Sequence, residues 1–311
     1  MSPLSLQSPA QVSPLQKRYL AAYGLQFDRI HSDVSYRSGQ LQSGKYALSC
    51  QYWSFPAAKG TVLLVHGYFD HVGLYGHIIR FFLQQGLAVF AFDLPGHGLS
   101  SGKAASIDCF SRYSDALQTC WQWGEKQQLP TPWLLVGQST GGAIITDYLA
   151  RTSPHKKTGR LKQVILLAPL VRPHRWRAGR LLYLSLRHFV RQVPRRQSRN
   201  SHDRTFLQFL ANDPLQSWSQ PVDWVGALNR WIRRIEKVKT ACPVPVLIIQ
   251  GEKDSTVDWK HNMAVFKRLY QSCEILYLPK GQHHLANERA DIRQTYMDWL
   301  AERLLPKKLK M

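Results

Sequence analysis

Residues Trp133 to Ala150 read WLLVGQSTGGAIITDYLA. The apolar run WLLV stops at Gly137 and gives way to GAIITDYLA, whose apolar spacing suits a helix. Between them lies Gly137-Gln138-Ser139-Thr140-Gly141, a G-x-S-x-G turn. A serine in such a strand-to-helix turn is held in a strained conformation, with its hydroxyl above the sheet edge. Glycines are required there because a side chain would collide with the neighbouring strand and helix. At a helix N-terminus, Ser139 also has backbone N–H groups and the positive dipole end nearby, and both favour a developing oxyanion.

Outward from this turn, further short apolar runs are punctuated by Gly, Pro or Asp. Val62–Val65, Ala88–Leu94, Trp133–Val136, Val164–Leu170, Val244–Gln250 and Ile275–Leu278 read as buried parallel strands. Helical spacing fills Tyr75–Gln85, Phe110–Gln127, Thr140–Arg151, Asp258–Gln271 and Asp291–Leu305. Strands alternating with helices predict an α/β fold, a mostly parallel sheet covered on both faces. The alternation fails between about Val171 and Lys239, where no strand is evident but Ala178–Val190, Thr205–Ala211 and Trp224–Val238 are amphipathic. That stretch is too long for a structureless loop in a compact domain. The expected organisation is therefore a core of residues 1–170 and 240–311 with a helical cap of residues 171–239. Residues up to about Val12 are expected to fray.

The charge falls in the same place. The 311 residues carry 41 Lys plus Arg and 20 Asp plus Glu, a net +21, yet residues 1–150 hold 10 basic and 8 acidic side chains. Residues 151–240 hold 20 and 4, and residues 241–311 hold 11 and 8. The densest part runs Arg172, Arg175, Arg177, Arg180, Arg187, Arg191, Arg195, Arg196, Arg199 and Arg204, interleaved with Trp176, Leu181, Leu182, Leu184, Phe189 and Val190. Such a patch suits an anionic partner: a membrane surface, an acidic small molecule or nucleic acid. No nucleic-acid motif is recognisable, so nucleic acid is not expected.

At 44% hydrophobic and 11% aromatic residues the chain buries a sizeable core, which excludes a mostly disordered protein. Five scattered cysteines without a CxxC argue against a disulfide framework or a finger-type zinc site. No signal-peptide run opens the chain and no stretch approaches the roughly 18 apolar residues of a membrane span, so a cytoplasmic protein is expected. Neither HExxH nor a Cys/His cluster occurs, and GxGxxG and GxxxxGK are absent, so no metal or nucleotide cofactor is expected.

A serine hydroxyl is a poor nucleophile at pH 7, so a base must take its proton and an acid must orient that base. In hydrolases with this turn the chain order is Ser, Asp or Glu, then His. After the strand VPVLIIQ, the loop GEKDSTV carries Asp254; after EILYLP, the loop KGQHHLANE carries His283 and His284. Catalytic groups of open α/β sheets gather at the strands' carboxyl ends, so Ser139, Asp254 and one of the two histidines can converge. After VLLV comes HGYFDHVGLY, His66 to Tyr75, where Gly67 lets the Tyr68 N–H point into the site. With the Thr140 N–H it makes a two-donor oxyanion hole. His66 is read as a brace for this loop. In DLPGHGLSSG, Asp93 to Gly102, His97 is read as buried scaffold.

These residues resemble an α/β-hydrolase of the monoacylglycerol lipase and lysophospholipase branch, proteins with a serine-aminopeptidase-type hydrolase domain. HGYFDHVGLY is similar to that branch's HGxxEHxxRY, DLPGHGLSSG to D-x-x-G-H-G-x-S-x-G, GQSTGG to GHSMGG, GEKDSTVD to G-x-x-D-x-x-V, and KGQHHLANE to GAxHELxxE. The resemblance covers about Tyr46 to Leu170 and Val244 to Leu304. Gln138 and Thr140 replace His and Met beside the serine. Counting back from Glu288 puts His283 on the family's catalytic histidine, whereas counting from Gly281 selects His284. The first alignment is preferred, with His284 as the alternative base.

The resemblance implies a serine esterase acting on a single-chain acyl lipid, a lysophospholipid or a monoacylglycerol. Leu181, Leu182, Phe206, Phe209, Leu210, Trp224 and Trp231 are candidates to line an acyl tunnel. The arginines would meet lysophospholipid phosphate or an anionic leaflet, giving peripheral contact with the inner face of a membrane. A general carboxylesterase or peptidase would use the same chemistry, and a non-catalytic membrane or nucleic-acid binder on this scaffold is the remaining class.

Overall fold

The computed structural model of the chain describes residues 2–5, 12–27, 33–152, 159–195, 199–239 and 242–304. Its strands in chain order are β1 (Ser35–Ser43), β2 (Tyr46–Ser54), β3 (Thr61–Val65), β4 (Ala88–Phe92) and β5 (Trp133–Gln138). Then follow β6 (Leu161–Leu167), β7 (Gln192–Pro194), β8 (Ser219–Pro221), β9 (Val246–Gly251) and β10 (Cys273–Leu278). Eight of these form one sheet in the order β1-β2-β4-β3-β5-β6-β9-β10. All pairs from β4 to β10 are parallel; β1–β2 and β2–β4 are antiparallel.

The six expected strands are all present, with ends displaced by up to three residues. β1 and β2 are additional. The polar surface of SYRSGQLQS disguises an edge strand, and YALSCQYWS lacks the continuous branched run of its parallel neighbours. Residues 2–5, expected to fray, continue this edge: Leu4 N–H donates to the Gln40 carbonyl at 3.1 Å and Gln40 N–H to that of Ser2 at 2.9 Å. The rest of that expectation, through residues 6–11, lies outside the described residues.

Helices α1 (Pro14–Ala22), α2 (Gly76–Gln84), α3 (Ser111–Lys126) and α4 (Thr140–Thr152) precede the 171–239 stretch. That stretch contains α5 (Trp176–Leu186), α6 (Arg204–Ala211) and α7 (Val222–Ile235), and α8 (Trp259–Leu269) and α9 (Ala290–Leu304) follow it. The expected helix end at Leu305 lies outside the described residues. Side chains alternate across the strands, so each strand serves two cores. Val62 and Leu64 of β3 pack with Ile78 of α2 and Tyr296 of α9. Leu63 and Val65 join Trp121 of α3, Ile145 of α4 and Phe266 of α8. The centre of the sheet is therefore buried on both faces.

From β3 the chain moves to β4 on one side and later to β5 on the other, so strand order reverses between β3 and β5. Above their carboxyl ends lies the crevice where open α/β sheets place their ligands. Residues 171–239 leave the sheet after β6 and return before β9. No strand was expected there, yet β7 and β8 form a small antiparallel ribbon. Three residues each are too few to show a period of two.

Several contacts tie this stretch to the rest. The Asp147 carboxylate of α4 accepts from Ser114, from Trp231 Nε1 at 3.1 Å and from Arg234, which anchors α7. Asp213 accepts from Tyr23 at 2.7 Å and from His71 Nε2 at 2.7 Å, with the His71 and Asp213 side chains fully buried.

Candidate active site

Ser139 has a left-handed backbone, φ +52°, in the turn from β5 to α4. For a residue with a side chain such a conformation costs on the order of 1–3 kcal/mol and must be held by its surroundings. Its N–H donates to the Leu167 carbonyl at 2.8 Å, and its carbonyl accepts from Leu170 at 3.0 Å and Ala143 at 3.2 Å. A Cβ on Gly141 would stand 2.1 Å from the Val65 carbonyl oxygen, and one on Gly137 would stand 2.6 Å from the Gly141 carbonyl carbon. The two glycines let α4 press against β3 and β5, which aims the serine upward.

Around Ser139 the structure brings two of the expected partners together. His283 Nε2 lies 2.9 Å from Ser139 Oγ, and His283 Nδ1 lies 2.7 Å from Asp254 Oδ2. With the proton on Nδ1, the imidazole donates to Asp254 and accepts from the serine hydroxyl. All three residues are buried. Asp254 follows β9, where its Oδ1 accepts the N–H groups of Thr256 at 2.8 Å and Val257 at 3.1 Å. Burial pushes its pKa upward, but the charge and hydrogen bond of His283 and those two amides outweigh it and hold it below the ordinary carboxylate range. Burial opposes a charge on His283 as well. Asp254 overrides that and keeps the imidazole pKa above its usual value.

His284 turns the other way. Its Nε2 lies 3.3 Å from Asp70 Oδ1, and its ring packs 4.7 Å from Phe206. Asp70 also accepts from Tyr75 Oη at 2.8 Å, and Tyr75 Oη accepts the Gly67 N–H at 2.9 Å. Despite burial, the nearby His284 holds the Asp70 carboxyl well below the ordinary range. His284 thus shapes the loop after β3 and does not face the serine.

That loop lies against the serine turn: a Cβ on Gly67 would be 3.5 Å from Ser139 Cβ. His66 accepts the Leu94 N–H at 2.9 Å on Nε2 and contacts the Gly67 carbonyl at 2.8 Å through Nδ1, bridging the loops after β3 and β4. Burial and its neighbour His97 push the His66 pKa down to about 3. His97 is itself buried and pushed down to about 4, chiefly by burial. Tyr68 stacks on Trp224 of α7, centroids 3.7 Å apart with 14° between the planes, and Phe69 is held at φ +68°. Thr140 is the first residue of α4, so its N–H has no carbonyl one turn earlier to bond.

A cavity of about 240 Å³ sits beside this loop, walled by Trp176, Leu182, Leu186, Val190, Trp224 and Leu228. Trp224 connects it to Tyr68, and His174, also on its wall, donates its N–H to the Thr256 carbonyl beside Asp254. Of the seven tunnel candidates only Leu182 and Trp224 line it. Trp231 is core: it stacks on Phe110 and bonds Asp147. Phe206 and Phe209 line a separate cavity, Leu210 lines another, and Leu181 is 66% exposed. Helical spacing marks an apolar face, but which cavity that face lines is decided by tertiary packing. The His71–Asp213 and Tyr68–Trp224 contacts join residues far apart in the chain, and no local pattern announces either.

A model of the serine aminopeptidase, S33 family matches residues 56–290. A monoacylglycerol lipase of Mycolicibacterium smegmatis is 26% identical over 233 residues, covering 73% of this chain and 81% of that protein. A monoglyceride lipase of Homo sapiens is 27% identical over 256 residues, covering 79% and 82%. Among solved structures, a soluble variant of monoglyceride lipase from Saccharomyces cerevisiae in complex with a substrate analog matches with a TM-score of 0.72. Identity there is 18%, over 86% of this chain and 94% of that one. At that identity the match speaks for the fold.

Proposed function

We propose, from the premise that this chain belongs to the serine aminopeptidase S33 hydrolase family, that it cleaves the ester bond of single-chain acyl lipids through an acyl-enzyme. Its fold is that of the α/β-hydrolases. In this reading Ser139 is the nucleophile, His283 the base and Asp254 the group that orients it. The observation that carries the reading is the continuous path from Ser139 Oγ to His283 at 2.9 Å and on to Asp254 at 2.7 Å.

The serine attacks the ester carbonyl as its proton passes to His283 Nε2. The Tyr68 and Thr140 amides hold the oxyanion, which the strained turn and the helix N-terminus favour before substrate arrives. The imidazolium then protonates the departing alcohol. Water, activated by the same histidine, hydrolyses the acyl-enzyme.

The apolar cavity beside Tyr68 suits an acyl chain, and the lipase names of the relatives support a lipid ester. Residues 171–239 act as the cap over the crevice. Their outer surface exposes Leu181 (66%), Leu182 (61%) and Phe189 (85%) among arginines, a pattern suited to an anionic lipid surface. No helix among the described residues is long and apolar enough to cross a membrane.

Labelling with a fluorophosphonate probe tests the chemistry: wild type is expected to label and Ser139→Ala to stay unlabelled. A wild type that resists the probe would defeat the esterase reading. Fatty-acid release from monoacylglycerols, lysophospholipids and p-nitrophenyl esters of graded length then ranks the substrates. A preference for peptides over every ester would turn the reading to a peptidase.

A further inference from the structure

Several arginines of residues 171–239 have partners among the described residues. Arg172 is held by Glu236, Arg230 by the Asp108 carbonyl and Arg234 by Asp147. Arg195 differs. It continues the β7–β8 ribbon, its N–H donating to the Trp218 carbonyl at 2.9 Å, so its backbone is set by strand register. Its guanidinium lies over the Phe69 ring, 4.1 Å from the centroid, and 5.9 Å from that of Trp218. Nη1 donates to Gln216 Oε1 at 2.7 Å and to the Ser217 carbonyl at 3.3 Å. Among the described residues, Nε and Nη2 have no acceptor and no carboxylate lies within ion-pair distance.

The guanidinium therefore sits over the Phe69 ring, with Trp218 nearby and buried Gln216 bonded to it, and its Nε and Nη2 carry three N–H donors with no acceptor among the described residues. No carboxylate pairs with it directly, so an anion arriving at its free N–H groups gains a half-buried, pre-positioned cation, and the planar fork matches phosphate oxygens. Burial lowers the Arg195 pKa while nearby Asp70 favours its charged form, and the group stays cationic.

The surroundings link it to the reacting groups. A cavity of about 330 Å³ is lined by Arg195, Arg199, Asn200, Leu207, Leu210 and Trp218. The Asn200 carbonyl accepts the His284 N–H at 2.8 Å, so this cavity abuts the loop that carries His283. Phe69, beneath Arg195, directly follows Tyr68. Asn200 Oδ1 is buried and without a partner among the described residues, an acceptor suited to a glycerol hydroxyl.

We propose that Arg195 is a specificity-determining residue that binds the headgroup phosphate of a lysophospholipid beside the scissile ester, making the anionic single-chain phospholipid the favoured substrate class over neutral monoacylglycerol. The proposal rests on the esterase reading above.

The test compares 1-oleoyl-lysophosphatidylglycerol with 1-oleoylglycerol, the same acyl chain with and without phosphate, in neutral detergent micelles. The full chain is used as wild type, Arg195→Gln and Arg195→Lys. Wild type should favour the lysophospholipid. Arg195→Gln should lower kcat/KM on it roughly ten- to hundredfold more than on oleoylglycerol, mainly through KM. Lysine, which keeps the charge but not the fork, should restore part of that and guards against a glutamine variant that folds poorly. Equal losses on both lipids, or none, overturn the proposal. Inhibition of p-nitrophenyl butyrate turnover by inorganic phosphate that weakens in Arg195→Gln, without any lysophospholipid preference, assigns the fork to free phosphate and also overturns it. A wild type that cleaves both neutral esters but disfavours lysophospholipid defeats this proposal alone; one that cleaves no ester defeats the esterase reading beneath it.

Discussion

Gln138 and Ala286 are joined across the site: the side-chain Oε1 of one accepts the backbone N–H of the other at 2.8 Å, both residues being buried. The bond ties the serine turn to the histidine loop, so Gln138 helps hold Ser139 and His283 at their separation. Gln138→Ala leaves the Ala286 amide unsatisfied and is expected to cost about 1–3 kcal/mol of stability. A drop in kcat with little change in KM, measured alongside urea unfolding, is the expected outcome. An unchanged kcat would show that the loop holds its place unaided.

The two adjacent histidines should behave oppositely. His283→Ala removes the proposed base and is expected to lower kcat on the order of 10⁴-fold or more. His284→Ala strips the buried Asp70 carboxylate of its imidazole partner and leaves it Tyr75 alone, so its main expected effect is on stability, with kcat/KM retained within about tenfold. Steady-state kinetics and unfolding midpoints on both variants decide it. Lost turnover in His284→Ala alone would reverse the assignment.

Acid should inactivate the protein before it unfolds it. If His283 is the proposed base, turnover needs it neutral; its pKa is held above 6.5, so kcat/KM should rise with pH through a value above 6.5 and then level off. For stability the signs differ. His283 favours the folded state most fully below 6.5, and that contribution fades as pH rises through its raised folded pKa. His66 and His97, at about 3 and about 4, stay neutral in the fold while the unfolded chain takes up protons below about 6.5. Each then subtracts up to about 1.4 kcal/mol per pH unit as the pH falls toward its folded value. Asp254, with its lowered pKa, keeps its contribution above about 3.8 and loses it only in stronger acid. Urea midpoints should therefore decline between pH 6.5 and 4. A flat profile would contradict the burial of the two neutral rings.

Trp224 serves two purposes, stacking on Tyr68 and walling the apolar cavity. Trp224→Ala should destabilise by about 3–5 kcal/mol, the usual range for a buried tryptophan. Trp224→Phe, which retains an aromatic face, should recover much of that and most of the activity. Turnover of long-chain and butyrate esters distinguishes the two purposes. Loss on both follows from a displaced Tyr68, and loss on long chains alone from the altered cavity.

How far the sequence reveals the molecule depends on what each feature requires of the backbone. Gly137, Gly141 and Gly67 sit where a Cβ would strike a neighbour, so the chain announces the serine turn and the loop after β3. Asp254 and the histidine pair follow apolar runs whose parallel pairing puts their carboxyl ends together. The direction of each histidine was legible only as an alternative, because adjacent side chains on an irregular loop follow no period. β1 was hidden by its polar edge, and Trp231 by a helical stripe that fits a lipid wall as well as a core. The start of α1 is written in the sequence: Ser13 and Gln16 form a capping box, with Pro14 at the first helical position.

The stretch around residues 200–203 carries one more consequence. Ser201 Oγ donates to the Asn287 carbonyl at 2.7 Å, His202 N–H donates to Glu288 at 2.9 Å, and the His284 N–H reaches the Asn200 carbonyl. This part of the proposed cap is riveted to the very segment that holds His283. Swinging the cap away as one rigid flap would drag the imidazole off the serine. In the proposed esterase, a doorway for a fatty chain would therefore open away from residues 200–203, which stay shut as the fixed jamb.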